Sequence, residues 1–180
     1  MTYRTKTYIA GDWTGDKDAI DKLYEWNENE HLNLSFTDAH ELTQARDDSL
    51  NCSIKKSLKR RMDISKTFVL IVGDKTNSLT AGGCQYCKPH YKKRYDEKWK
   101  EIAYCENKYS IDNKSYIMYE CDEAVKADIK IIVLYKSTIV SKSKCTEVVR
   151  DKGIHIAMIC KDINNKSCWD YNAIKKAIKG

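Results

Sequence analysis

The chain has 180 residues, 42% hydrophobic and 32% charged, with 32 basic against 26 acidic side chains and a net charge of +6. That length suits one compact domain with a sizeable core and is short for two, and no apolar stretch approaches a membrane span. The charge is spread along the chain rather than gathered in a tail, so it favours solubility and is only a weak pointer to anionic ligands. Residues 1–6 are polar and lack the pattern of a secretory signal, so a cytoplasmic location is expected and the eight cysteines are expected as reduced thiols.

Strand and helix signals alternate along the chain. Residues 5–11 read as a first strand ending at Gly11, followed by a turn-rich link over residues 12–16 with capping candidates. Over residues 16–27, Ile20, Leu23 and Tyr24 recur at helical spacing, with Asp18, Asp21, Lys22 and Glu25 on the wet side. Residues 32–36 read as a short second strand, and residues 37–48 as a polar, irregular link. A helix follows in which Leu50, Ile54, Leu58 and Met62 repeat, with Lys55, Lys56, Lys59 and Arg60 expected to face water. The continuous apolar run within residues 66–73 fits a central strand buried on both faces, and residues 129–135 repeat that pattern. A weaker run over residues 154–160 and an amphipathic helix over residues 169–178 complete the series. Such alternation predicts right-handed crossovers and a parallel sheet covered on both sides.

Residues 75–113 are too long for an ordinary connection and read as an elaborated insert with a helical piece near residues 96–105. In an open parallel sheet, ligands bind beyond the carboxyl ends of the strands. That rule selects Asp12 and Trp13 after the first strand, Asp38 and His40 after the second, and the insert leading to the helix that carries Glu120. Glu120 follows Tyr116, Ile117, Met118 and Tyr119, so a carboxylate is set among aromatic and apolar neighbours. Helical spacing puts Tyr116, Glu120 and Ala124 on one face, at the border between core and surface. A solvated Glu120 paired with Lys126 or Lys130 fits the same pattern.

Each remaining candidate also has two readings. Trp13 can stack on a planar ring, and Asp12 can bind a hydroxyl or simply cap the next helix. His40, with an ordinary pKa near about 6.5, suits proton transfer, or is a surface residue. Tyr116 can wall a pocket or fill the core. Cys84 and Cys87, with His90 and Cys105, are zinc-type ligands, but the set lacks a second well-spaced pair, so no metal is assigned. The basic and aromatic residues of the insert, Lys92, Lys93, Arg94 and Lys98 among Tyr91, Tyr95 and Trp99, are read as a solvated surface in preference to a nucleic-acid site.

Several of these stretches together resemble the TIR-like family, in particular the NAD-consuming subunit of Thoeris antiphage defence systems. They are Tyr8-Ile9-Ala10-Gly11-Asp12-Trp13, Phe36-Thr37-Asp38-Ala39, Phe68-Val69-Leu70-Ile71-Val72-Gly73, and Tyr116-Ile117-Met118-Tyr119-Glu120 with Ala124-Val125 and Lys130-Ile131-Ile132-Val133. Members commonly place an aromatic residue three or four positions before a catalytic glutamate on this helix, and the matching position here is Glu120. Tyrosine stands where a tryptophan is usual, and the preceding loop carries a cysteine-rich insert. The resemblance implies an α/β, flavodoxin-like three-layer TIR-like fold over residues 1–180. Its central, mostly parallel sheet would have five strands, with the elaborated loop before the fourth.

The resemblance also implies cleavage of the nicotinamide-ribose bond of NAD and formation of an ADP-ribose-derived, in some members cyclic, signalling nucleotide that acts on a separate effector protein. NAD is then the substrate, no further cofactor is needed, Glu120 is the catalytic residue, and Asp12, Trp13, Asp38, His40 and Tyr116 are the binding candidates. Continuous loss of NAD is intolerable to a resting cell, so restraint by a closed cleft or by homo-oligomeric assembly is expected. Two alternatives stay open: a non-catalytic TIR-like interaction module, and a nucleoside deoxyribosyltransferase-like enzyme.

Overall fold

A computed structural model describes residues 3–39, 50–87, 90–106 and 111–180. Four parallel strands form its central sheet: β1 (Lys6–Ala10), β2 (Ser65–Val72), β5 (Lys130–Tyr135) and β6 (Ile154–Ala157), in the order β1-β2-β5-β6. A single parallel bridge, Thr7 to Asp38, extends the sheet beyond β1. The resulting spatial order is that of a flavodoxin-like sheet, in which the second segment lies outside the first.

Strand periodicity separates two cores. Tyr8, Ala10, Phe68, Leu70, Val72, Ile131, Val133 and Tyr135 face α2 (Asn51–Asp63) and α3 (Tyr116–Lys126), whose Met62, Ile117, Cys121 and Ala124 close over them. Ile9, Val69, Ile71, Ile132 and Leu134 face α1 (Lys17–Glu28) and α4 (Tyr171–Lys179), with Ala19, Ile20, Leu23, Trp26, Ile174 and Ala177 packed on them. Full burial of each large aliphatic or Phe side chain here contributes about 1.5–3 kcal/mol. Two helix starts are capped by side chains: Ser115 Oγ accepts from the Met118 amide at 3.2 Å and Asp170 Oδ1 from the Ala173 amide at 3.0 Å.

Five local expectations are revised. Residues 32–36 form no strand: Asn33 and Ser35 take positive φ angles of 31° and 59°, and the Asn27 side chain satisfies both the amide and the carbonyl of Phe36. Sheet contact is thereby displaced to the Thr37 carbonyl and the Ala39 amide, which bond Thr7 at 2.8 and 3.0 Å. Residues 96–105 are not helical. They complete an antiparallel hairpin of β3 (Tyr91–Tyr95) and β4 (Glu101–Cys105), because Asp96 Oδ1 accepts from the Lys98 and Lys100 amides and Trp99 adopts φ 57° in the turn.

The run over residues 154–160 breaks at Met158, whose amide bonds the Tyr135 carbonyl at 2.7 Å. The chain then enters a second hairpin, β7 (Ile159–Lys161) with β8 (Ser167–Trp169). Trp169 thus ends a strand, and the last helix begins two residues later. Lys55, expected in water, is 2% exposed: its ammonium is held by Asp112 Oδ2 at 3.1 Å and the Lys114 carbonyl at 2.7 Å, fastening the end of the insert to α2. No described helix is long and apolar enough to cross a membrane.

Candidate active site

Helix α3 begins where the insert returns to the sheet. The Tyr116 amide bonds the Ala81 carbonyl at 2.8 Å, and Gly82, at φ 105°, lies so close that a Cβ there would sit 2.6 Å from the Tyr116 ring. Only glycine tolerates both that backbone and that contact. One turn along the helix, Glu120 points into the core rather than along its border, and it is 7% exposed. Its Oε1 accepts a 2.5 Å hydrogen bond from the Tyr8 hydroxyl, which rises from the middle of β1. Lys126, a partner considered for Glu120, instead bonds Glu123 at 2.7 Å, and Lys130 bonds the Ile178 carbonyl at 3.3 Å.

Burial dominates the electrostatics of this pair. Desolvation lifts the Glu120 carboxyl to about 7, although the Tyr8 hydrogen bond and the Arg61 guanidinium both pull it down. Tyr8 itself is held well above the usual phenol range, first by burial, then by the Glu120 charge. Asp38 acts on the same hydroxyl, and Arg61, on α2, opposes both acids. Residues from β1, α2, α3 and the bridge segment therefore converge at Tyr8. A carboxyl that titrates near neutrality can hold or accept a proton under working conditions.

The other predicted residues occupy distinct places. Asp38 is buried beside β1, and its Oδ2 accepts from the Tyr24 hydroxyl at 2.6 Å. Tyr116 is half-buried and donates its hydroxyl hydrogen to Asn51 Oδ1 at 2.7 Å, at the start of α2; burial pushes its phenol up to about 12. Asp12 closes its own turn by accepting from the Thr14 amide at 3.0 Å, and Trp13 is 47% exposed at the carboxyl end of β1. His40 lies outside the described residues. Among the described residues, no three His, Cys, Asp or Glu side chains are grouped to hold a metal ion.

Tyr8 and Arg61 have no role in the sequence reading. The two-residue alternation that puts Tyr8 on the face of Ala10, Phe68 and Leu70 was the available signal for Tyr8, once α3 was assigned to that face. Asp16 was visible only as a cap. It makes no side-chain cap bond; its carboxylate instead lies against Gly73, where a Cβ would be 1.9 Å from Oδ1, at the carboxyl ends of β1 and β2. Burial raises its carboxyl, and Lys136, 3.9 Å away, opposes that shift.

Crossovers from β1 and β2 run to opposite faces here, which is the crevice position of such sheets. Comparison with known families bears on the first half of the chain. Residues 8–81 match the family described as Thoeris protein ThsB, TIR-like domain, a span that includes β2 and stops short of α3 and Glu120. No curated protein matches the chain. Those residues, carried on a parallel sheet in flavodoxin order, are thus similar to the TIR-like domain of the Thoeris defence protein ThsB.

Proposed function

We propose that this protein cleaves the nicotinamide-ribose bond of NAD, with Glu120 as the catalytic carboxylate, and converts the ADP-ribose portion into a signalling nucleotide for antiphage defence. The observation that carries this reading is the buried Glu120–Tyr8 pair, whose carboxyl is lifted to about 7. Nicotinamide leaves with its ring nitrogen becoming neutral, so the departing group needs no proton. The ribose carbon gains positive charge, and a carboxylate held beside it stabilises that charge without reorganising. Tyr8 keeps the carboxylate oriented. Once nicotinamide has left, Glu120 is suited to accept the proton of the attacking hydroxyl, from water for hydrolysis or from the nucleotide for cyclisation.

Asp38, His40, Asp12, Trp13 and Tyr116 are the proposed binding groups around it. At 7% exposure Glu120 is closed off, which supports restraint by a closed cleft and an opening step before turnover. Incubation of purified protein with NAD should release nicotinamide, and Glu120→Gln should lower kcat by at least about 100-fold. Undiminished release by that variant overturns the assignment. Because the carboxylate form is the active one in this scheme, kcat/KM should rise with pH through about 7. The same burial of Glu120 also favours a second reading, a non-catalytic interaction module with a core carboxyl. Absence of NAD turnover at high protein concentration, with self-association retained, would establish it.

A further inference from the structure

The hairpin of β7 and β8 pairs Cys160 directly with Cys168. Their sulfurs lie 2.8 Å apart, well inside ordinary contact, yet both are free thiols. The Asp170 amide bonds the Met158 carbonyl at 2.7 Å, and the Asp162 amide the Lys166 carbonyl at 2.9 Å, so the positions two residues away from the cysteines in each direction are of the hydrogen-bonded kind. Alternation along an antiparallel ladder makes Cys160 and Cys168 a hydrogen-bonded pair too, with a Cα separation of about 5.5 Å, inside the roughly 4.4–6.8 Å that a disulfide spans. Both side chains are partly exposed, within reach of a small oxidant, whereas Cys121 and Cys145 are fully buried.

We propose that Cys160 and Cys168 are a reversible disulfide site, closed by exchange with a low-molecular-weight disulfide and reopened by thiols. The Cys168 thiolate attacks one sulfur of oxidised glutathione, forming a mixed disulfide and releasing one glutathione thiolate. That thiolate takes the Cys160 proton, and the Cys160 thiolate then displaces the second glutathione from the Cys168 sulfur. The protein dithiol loses two electrons, oxidised glutathione is reduced to two thiols, and the two protein protons end on them. The hydrogen bond with Cys168 pushes the Cys160 thiol up, so Cys160 keeps its proton while Cys168 attacks, and it is freed from that bond once Cys168 is in the mixed disulfide.

The site lies where a staple has structural effect. The hairpin is tied to the carboxyl end of β5 through the Met158 and Ile159 amides, which bond the Tyr135 and Ser137 carbonyls, and it leads directly into α4. None of this depends on NAD chemistry. Full-length protein equilibrated with oxidised glutathione, alkylated and digested with trypsin should yield residues 153–161 joined to residues 167–175, because Lys152, Lys161, Lys166 and Lys175 are the cleavage points. Dithiothreitol should reverse the link, Cys168→Ser should abolish it, and Cys52→Ser should retain it. The oxidised protein should melt about 4 °C higher, from the reduced freedom of the unfolded chain. Stable glutathione adducts on Cys160 or Cys168 without the joined peptides, or Cys160 joined to another cysteine, would overturn the proposal in the unaltered protein, whatever the variants do.

Discussion

At Glu120, burial and hydrogen bonding act in opposite directions, and burial prevails. Its folded-state pKa of about 7 stands above the ordinary 4.5, so the folded state retains a proton that the unfolded chain releases across that interval. Stability from this group is therefore fully present below pH 4.5 and is lost as pH rises through about 7, by about 3 kcal/mol in total. Glu120→Gln lacks this term. Urea unfolding at pH 5 and pH 8 should show the variant gaining on the unaltered protein by about 2–3 kcal/mol between the two, all other titrations being common to both. An equal pH dependence of the two proteins would mean that the carboxyl is not desolvated. The position of Glu120 on an apolar helix was legible in the sequence; its partner was not, because Tyr8 lies 112 residues away and meets it only through the packing of α3 on β1.

Among the elements, α2 shows most plainly how tertiary contacts override a local pattern. Lys55 occupies a position that periodicity assigns to water, but the returning insert brings Asp112 and two main-chain carbonyls to its ammonium. Lys55→Ala leaves the Asp112 carboxylate without this partner and the Lys114 carbonyl without its donor, while the Asp112 carbonyl keeps the Cys84 amide. It should cost about 2–3 kcal/mol, less than a wholly buried pair because Asp112 is 20% exposed. Chemical denaturation measures that loss, and a change below about 0.5 kcal/mol would mean that the insert is not fastened there. The hairpin of β3 and β4 is the reverse case. Its residues mix charge with aromatic rings, as in Lys93 with Glu101 at 2.7 Å and Arg94 over the Tyr104 ring at 5.4 Å, and such long side chains serve an exposed ribbon as readily as a helix. The decision falls to the Asp96 turn.

For the whole molecule, the two cores meet only through the sheet between them, so the strands belong to the most cooperative unit. Amide exchange should be slowest in β1, β2 and β5. It should be many-fold faster in β3 and β4, a two-stranded ribbon of the marginal kind. Equal protection of ribbon and sheet would show that the insert folds as one body with the core. The amino-acid sequence by itself determined the alternating pattern of strands and helices, the apolar central strands and the placing of Glu120 among apolar neighbours. These depend on residues a few positions apart, and local periodicity reports them. The tertiary structure alone decided that sheet contact beside β1 falls at Thr7 and Asp38 rather than over residues 32–36, that Lys55 is buried, and that Tyr8 meets Glu120. Each of those depends on which distant group supplies a hydrogen bond or excludes water, and that is settled only when the layers close.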